Sequence, residues 1–285
     1  MTKYKKIVFS GNTEDESSFL SIEPLIEKYQ EKGIEAVVVD PKNNPGTDSI
    51  MENVELIVSI GGDGTMLHSA KLAYQYDIPI TGINKGRLGF LTDINPQEAE
   101  SILDEILSGK YKTENRMLIE AFISINKTNK SIGYAFNDIV INRKETGRMI
   151  RIETTIDSSF INTHEGDGFI VATPTGSTAY SLSCGGPILT PEVEALLLVP
   201  ICPHSLNDRP MVVPSSSEII LRCDSNQNVS AGIDLDGDTV SEMKMGEDLV
   251  IKKAVKSICL LHPENYDYFD NLKSKLLWGK DKRHE

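Results

Sequence analysis

Apolar and polar positions along the first part of the chain alternate between short apolar runs and amphipathic stretches. This alternation is typical of strand–helix–strand units in a largely parallel sheet. It predicts strands at 5–10, 36–39, 54–60 and 78–83, and helices at 18–32, 65–76 and 96–107. The 54–60 run is apolar almost throughout, which indicates a strand covered on both faces.

From about residue 117 the pattern changes to short alternating segments separated by polar turns, which predicts strands without intervening helices. These strands lie at 119–125, 138–142, 150–156, 168–172, 211–213, 218–222, 229–235 and 248–252, and a final helix at 269–278 precedes a charged tail after Gly279. We expect an α/β domain at 1–116, a β-rich domain at 117–265, and a C-terminal helix and tail at 266–285. The fold is predicted to be α+β overall, with the C-terminal helix returning to the N-terminal domain.

Composition narrows the classes of function. No apolar run is long enough for a membrane span, and the apolar run at the N-terminus is too short for a secretory signal, so we expect a cytoplasmic protein. Four scattered cysteines indicate neither a zinc site nor a disulfide framework. A formal charge of -13 argues against nucleic-acid and membrane partners. It also repels nucleotides, so local dipoles, basic side chains and metal cations must offset it if nucleotides are the substrates.

The most informative segment lies between a predicted strand and a predicted helix and reads Gly61-Gly62-Asp63-Gly64-Thr65. Glycines let a phosphate approach the backbone, and the helix N-terminus offers free N–H groups. A sharp strand-to-helix turn also needs glycine, so the glycines alone support both interpretations equally. Asp63 favours chemistry, because a carboxylate in an anion cradle needs a role such as accepting a hydroxyl proton or holding a metal ion.

The G-G-D-G-T turn resembles that of a superfamily containing NAD kinases, phosphofructokinases and diacylglycerol or sphingosine kinases, and the Walker pattern of P-loop enzymes is absent. Other segments resemble NAD kinases in particular. They are Asn137-Asp138, Gly166-Asp167-Gly168, the run T-P-T-G-S-T-A-Y-S-L-S from Thr173 to Ser183, Gly185-Gly186-Pro187, Pro203 to Leu206 with Arg209-Pro210, and Lys275 to Gly279. Because the lipid kinases and phosphofructokinases lack the T-P-T-G-S-T-A-Y run, the resemblance is specific.

The resemblance implies transfer of the terminal phosphoryl group of ATP or polyphosphate to the 2′-hydroxyl of the adenosine ribose of NAD. Asp63 is the expected base, Mg²⁺ or Mn²⁺ the expected metal, and a homodimer or homotetramer the expected assembly. The expected phosphate-binding residues are Gly61, Gly62, Gly64 and Thr65. The expected NAD-binding residues are Gly64, His68, Phe90, Asn137, Asp138, Arg148, Glu165, Asp167, Thr175, Thr178, Ala179, Tyr180, Ser181, Leu182 and Ser183.

Ordinary structural roles stay open for several of these residues. Asn137-Asp138 and Asp167 are also consistent with turns or caps, and Phe90 with a core side chain. His68 is equally consistent with an exposed helix residue. Arg148 is equally consistent with a solvated hairpin turn.

Two further groups of residues suggest other chemistry, but each lacks a residue that its motif requires. His204 beside Ser205 suggests a hydrolase triad, but no serine lies in a G-x-S-x-G elbow. Asp234-x-Asp236-Gly237-Asp238 suggests a calcium loop, but the terminal glutamate is missing. NAD kinases usually have glutamine after this Asp-Gly, so Asp238 departs from the family pattern.

Two rival functions remain: a lipid or sugar kinase that shares the G-G-D-G-T turn, and a non-catalytic nucleotide sensor.

Overall fold

The computed structural model describes residues 4–12, 16–42, 47–85, 89–126, 128–144, 148–223, 231–244 and 246–278. The chain divides into two compact units. The first unit contains residues 1–115 and 258–285, and the second contains residues 116–257. The tail predicted after Gly279 lies outside the described residues.

A parallel sheet forms the first unit. Its strands are β1 (Lys6–Ser10), β2 (Glu35–Val39), β3 (Leu56–Gly61) and β4 (Ile80–Asn84), and its helices are α1 (Glu16–Glu31), α2 (Thr47–Met51), α3 (Asp63–Tyr76) and α4 (Ala99–Ser108). The strands lie in the order β2-β1-β3-β4. Strand β3 is buried along its whole length, as its apolar sequence predicts.

Strand β5 (Lys112–Ile125) leads from the first unit into the second. The second unit continues with β6 (Thr128–Ala135), β7 (Asp138–Arg143), β8 (Ile150–Ile156), β9 (Ser159–Gly166), β10 (Gly168–Ala172), α5 (Tyr180–Ser183), β11 (Ala195–Ile201), β12 (Met211–Pro214), β13 (Ile219–Cys223), β14 (Ala231–Leu235) and β15 (Asp238–Met243). Strand β16 (Asp248–His262) leads back to the first unit, which ends with α6 (Tyr268–Leu276). There Leu260 of β16 pairs with Ile80 of β4.

Antiparallel pairing dominates the second unit. One sheet has the order β12-β11-β10-β7-β14-β15, and the start of β16 pairs with β13, which continues through β8 to β9. Buried side chains such as Ile141, Phe169 and Ile219 form its core. An α/β unit with a parallel sheet, an all-β unit and a returning C-terminal helix confirm the predicted fold class.

The structure differs from the sequence prediction at several elements. Helix α4 begins at Ala99 because residues 96–98 form a turn, in which the N–H of Ala99 donates to the carbonyl of Pro96. Helices α2 and α5 and strands β6, β9, β11 and β15 were not predicted. Strand β14 begins at Ala231, and residues 229–230 of the predicted strand lie outside the described residues. None of the helices described here is both long and apolar enough to cross a membrane.

Candidate active site

The 61–65 turn joins β3 to α3, and its three glycines have different reasons to be glycine. A Cβ on Gly61 would lie 2.7 Å from the Cβ of Thr65, and Gly61 has a φ of 154°, so the fold itself requires glycine there. A Cβ on Gly62 or Gly64 would meet no described atom within 4 Å. The fold therefore requires only the first glycine, and the other two leave open space at the surface.

Helix α3 begins inside this turn. Gly62 is its N-cap residue and has no side chain to cap the first N–H groups. Those groups and the positive end of the helix dipole lie beside the space that Gly62 and Gly64 leave open. This arrangement suits a phosphate. Because Gly62 and Gly64 have no side chains, a phosphate can approach the backbone N–H groups closely.

The Asp63 carboxylate is fixed by two backbone donors from a distant segment. The N–H of Phe90 donates to Oδ2 and the N–H of Leu91 donates to Oδ1, each at 3.0 Å. Each carboxylate oxygen keeps a further acceptor position, since an ionised carboxylate offers about four in all. Asp63 is half-buried, so it presents an oriented, partly accessible negative charge at the helix N-terminus.

Gly89 allows this close approach. A Cβ on Gly89 would overlap Oδ1 of Asp63 and would lie 2.9 Å from its Cγ. The sequence indicated the side chain of Phe90, whose ring lies 5.8 Å from the Lys275 ammonium, but not Gly89 or Leu91. In the structure, the N–H groups of residues 90 and 91 contact Asp63. No local pattern signals this contact, because 25 or more residues separate its partners.

A buried hydroxyl cluster holds α3 on the sheet. The Ser69 hydroxyl lies 2.8 Å from that of Ser10 on β1 and 3.0 Å from that of Ser59 on β3. It also bonds the Thr65 carbonyl one turn earlier. These bonds fix α3 against both strands, which sets the position of its first turn.

A cavity of about 580 Å³ opens beside this first turn. Its lining consists of Asn12, Asp40, Pro41, Lys42, Gly64, Thr65 and His68. Two predicted phosphate-site residues, Gly64 and Thr65, therefore share a cavity with the basic side chains of Lys42 and His68. An anionic group bound there can contact backbone amides and basic side chains together.

In the second unit, the structure joins two motifs that are far apart in the sequence. Thr173 donates its N–H to the carbonyl of Asn137 at 2.8 Å and its hydroxyl to the carbonyl of Phe136 at 2.6 Å. A Cβ on Gly176 would lie 2.8 Å from the Cα of Asn137, so only glycine fits. The T-P-T-G loop is thus packed directly on the Asn137-Asp138 pair.

Asp236 orients the Asn137-Asp138 pair from the other side. Its carboxylate accepts from the N–H groups of Phe136 at 2.9 Å, Asn137 at 2.7 Å and Asp138 at 3.3 Å. Asp236 and Gly237 both have positive φ in the β14–β15 turn, as a two-residue hairpin requires. In the sequence, Asp236 suggested a calcium loop and not this contact. The Asp-Gly dipeptide between alternating strands is the signal that could have identified the hairpin.

Asp138 is buried beside this carboxylate. Burial, followed by the negative charges of Asp236 and Asp234, raises the pKa of Asp138 from 3.8 to about 7. Near neutral pH this carboxyl group therefore changes easily between donating and accepting a hydrogen bond. Either form suits a polar edge of a base or a ribose hydroxyl.

A second cavity, of about 340 Å³, gathers four of the predicted NAD-binding residues. Asn137, Asp138, Ala179 and Tyr180 line it together with Val140, Asp234, Asp236 and Gly237. Tyr180 is 46% exposed, which leaves its ring accessible to a planar ligand.

The other predicted residues of the second unit are placed as follows. Asp167 lies between β9 and β10 and forms an ion pair with Arg143 at 2.6 Å. Thr175 is buried and accepts from Arg116 at 3.2 Å. Ser181 is fully buried, Thr178, Leu182 and Glu165 are half-buried, and Ser183 and Arg148 are exposed.

The first unit presents an oriented carboxylate beside backbone donors at an open helix N-terminus. These features suit a phosphotransferase, because phosphoryl transfer depends on positioning and on electrostatic stabilisation of the transferred group. Family models for the ATP-NAD kinase N-terminal domain and the ATP-NAD kinase C-terminal domain match residues 10–111 and 136–262. The NAD kinase of Sulfurimonas denitrificans is 43% identical over 263 residues, which cover 92% of this chain and 89% of that protein.

Two solved structures are similar over nearly the whole chain. The crystal structure of yeast NADH kinase complexed with NADH has a TM-score of 0.88 and 25% identity, and covers 99% of this chain and 90% of that one. The crystal structure of an NAD kinase from Archaeoglobus fulgidus in complex with ATP has a TM-score of 0.74 and 26% identity. The match covers 95% of this chain and 98% of that one. The chain belongs to the NAD kinase family.

Proposed function

We propose that this protein transfers the terminal phosphoryl group of ATP to the 2′-hydroxyl of the adenosine ribose of NAD, forming NADP. The observation that carries the proposal is the Asp63 carboxylate, fixed by two amides beside the open N-terminus of α3. Asp63 accepts the hydroxyl proton, the 2′-oxygen bonds to the terminal phosphorus, and the bond from that phosphorus to ADP breaks. The proton then passes to solvent. Membership of the NAD kinase family supports this assignment.

The phosphates of the donor are assigned to the first unit. Gly61, Gly62, Gly64 and Thr65 present the backbone of the turn, and Lys42 lines the adjoining cavity. A similar NAD kinase was solved with ATP, which favours ATP over polyphosphate as the donor.

Among the described residues, no three His, Cys, Asp or Glu side chains cluster to hold a metal ion. Mg²⁺ and Mn²⁺ fit this site, because Mg²⁺ is commonly bound by one or two carboxylates together with substrate phosphates. Asp63 has acceptor positions left for that purpose.

Most of the residues assigned to the NAD substrate belong to the second unit, and His68 and Phe90 belong to the first. Asn137 and Asp138 are proposed to contact the adenosine, and Tyr180 to pack against a ring. The remaining proposed contacts with NAD are His68, Phe90, Arg148, Glu165, Asp167, Thr175, Thr178, Ala179, Ser181, Leu182 and Ser183. The Asp167–Arg143 ion pair is accessible enough to exchange for a ligand contact, since both side chains are about a third exposed.

Gly64→Ala is expected to separate stability from phosphate binding. Because Gly64 lies in α3 with open space around its Cα, alanine should raise the free energy of unfolding by about 0.5–1 kcal/mol. The added methyl group occupies the phosphate approach, so KM for ATP should rise about tenfold or more. Thermal unfolding and steady-state kinetics measure the two effects. A destabilised protein with unchanged KM would show that the glycine serves only the fold.

Tyr180→Ala is expected to weaken NAD binding more than ATP use. The exposed ring lines the cavity that holds Asn137 and Asp138, so its loss should remove about 1–3 kcal/mol of contact with a flat ring. Calorimetric titration with NAD measures the change, and KM for ATP is the control. Equal NAD affinity in the variant and the wild type would refute this role.

One assay distinguishes the proposal from its rivals. The protein is incubated with NAD, ATP and Mg²⁺, and NADP is detected with an NADP-specific dehydrogenase, with Asp63→Asn as the control. We expect NADP from the wild type at a rate about 10²- to 10⁴-fold above that of Asp63→Asn. Turnover of a lipid or sugar alcohol without NADP would indicate a different kinase of the same superfamily. Binding of NAD without NADP formation would indicate a sensor.

We also propose a cytoplasmic homo-oligomer, a dimer or a tetramer, acting without nucleic-acid or membrane partners. All four cysteines are free thiols, which suits a reducing compartment. Strands β9 and β12 are sheet edges with exposed apolar side chains, including Phe160, which is 63% exposed, and Val212, which is 49% exposed. Such edges favour association with a second copy.

A further inference from the structure

The segment 89–94 supplies the two backbone N–H groups, those of Phe90 and Leu91, that bind the Asp63 carboxylate. The contacts that hold this segment can therefore influence Asp63. Its C-terminal end is held by β4: the carbonyl of Ile94 accepts from the N–H of Asn84 at 2.8 Å, and the N–H of Ile94 donates to the carbonyl of Gly82 at 3.2 Å. Its N-terminal end is held by α6, where Asn271 Nδ2 donates to the carbonyl of Gly89 at 3.3 Å.

Between these ends, the segment is held by His262, the last residue of β16. Nδ1 of His262 lies 2.6 Å from Oδ2 of Asp93, and Nε2 lies 3.0 Å from Oε2 of Glu114 on β5. The His262 ring is stacked on Tyr266, with 3.9 Å between ring centroids and 9° between planes. His262 is 3% exposed, so water does not compete for these contacts. Only Thr92 separates Asp93 from Leu91, whose N–H binds Asp63.

The charges around His262 favour its protonated form. Burial opposes the charge, but the hydrogen bonds to Asp93 and Glu114, with the negative charges of both carboxylates, outweigh burial and raise the pKa of His262 above 6.5. An imidazolium donates from both ring nitrogens, which satisfies both carboxylates. Lys112 of β5 holds the loop that carries the stacked Tyr266 ring, since its ammonium donates to the carbonyl of Tyr266 at 2.8 Å.

We propose that His262 is a positioning residue for the phosphoryl transfer: its ring, held between Asp93 and Glu114, fixes the 89–94 segment and thereby the Asp63 carboxylate. His262 acts through Asp63 and contacts no substrate in this role. The proposal rests on the function proposed above for Asp63. It explains why a histidine is buried between two carboxylates at the end of the final strand.

The test is a double-mutant cycle between His262→Gln and Asp63→Asn, with kcat and both KM values measured for each protein. Glutamine keeps a polar side chain but no positive charge. His262→Gln should lower kcat about 10- to 100-fold with nearly unchanged KM values, because a small displacement of a catalytic group is costly. In the Asp63→Asn background the same change should have no further effect. Equal losses in both backgrounds, or none in the wild type, would overturn the proposal.

The pH dependence provides a second readout. The stabilisation from a raised histidine pKa is complete below its ordinary value of 6.5 and is lost as the pH rises through the folded-state value. The melting temperatures of the wild type and His262→Gln should therefore differ more at about pH 6 than at about pH 9. The wild-type kcat should fall at alkaline pH along a limb that the variant lacks. An identical pH profile in the two proteins contradicts the proposal.

Amide NMR separates this proposal from the function on which it rests. In the wild type, the N–H signals of Phe90 and Leu91 should shift on His262→Gln even if no NADP is ever formed. The matched control is His164→Gln, a buried histidine 3.3 Å from Asp208 in the second unit, which should leave those signals and kcat unchanged. If His262→Gln does not fold, Asp93→Asn removes the same ion pair from the other side and should give the same shifts. Unshifted Phe90 and Leu91 signals in a folded variant would exclude the positioning role.

Discussion

Replacing Asp63 with asparagine is expected to lower kcat for NADP formation by about 10²- to 10⁴-fold, the usual contribution of a positioned general base. Two effects combine. The amide cannot accept the 2′-hydroxyl proton, and its NH₂ group faces one of the two N–H donors of Phe90 and Leu91, where the carboxylate accepted both. NAD affinity should be nearly unchanged, because the residues assigned to NAD in the second unit remain.

Kinetics and binding must be measured on the same protein. Steady-state kcat reports the chemistry, calorimetry reports NAD affinity, and thermal unfolding reports whether the turn remains intact. A matched comparison is Asp77→Asn at the C-terminal end of the same helix, which should leave kcat unchanged. Near-normal turnover of Asp63→Asn with an unaltered metal dependence would show that Asp63 is not the base.

Gly89→Ala is expected to have the next largest effect on kcat, a loss of about 100-fold. The new Cβ would overlap Oδ1 of Asp63 and Oγ1 of Thr92, so either the carboxylate rotates or the 89–94 segment moves away. Both outcomes break the hydrogen bonds that orient Asp63. Overpacking of this kind also costs about 1–3 kcal/mol of stability.

Gly64→Ala is the matched control, because the same methyl group is added where the protein leaves space. Gly89→Ala should mainly lower kcat, whereas Gly64→Ala should mainly raise KM for ATP. Circular dichroism and thermal unfolding establish that both variants fold. If Gly89→Ala retained wild-type kcat, the close packing of this segment on Asp63 would have no part in catalysis.

Elements with a strong periodic or apolar signal were predictable from the sequence. The buried run of β3 and the helix that follows it are examples, and together they located the 61–65 turn. Strand β9 was missed because residues 159–162 are exposed and its sequence lacks an alternating apolar face. Strand β11 was missed although it is buried throughout. A continuous apolar run does not distinguish a strand from a helix, and Pro200 argues against a central strand.

The candidate site was predictable where its residues lie within one motif, and otherwise not. Asp63, the Asn137-Asp138 pair and Tyr180 were singled out from local sequence, and their roles stay predictions. Gly89 and His262 were missed because their contacts depend on tertiary structure: the chain must fold before residue 89 meets residue 63, or residue 262 meets residues 93 and 114. Asp236 was missed for the same reason, since its three backbone partners lie about 100 residues earlier.

The most direct test of the central claim is a crystal structure of the protein with NAD, Mg²⁺ and a non-hydrolysable ATP analogue, in which the distance from the Asp63 carboxylate to the ribose 2′-oxygen is measured. We predict a separation of about 2.6–3.2 Å, with the terminal phosphate of the analogue on the opposite side of that oxygen. A 2′-hydroxyl directed away from Asp63, with another side chain within hydrogen-bond reach of it, would contradict the assignment of Asp63 as the base.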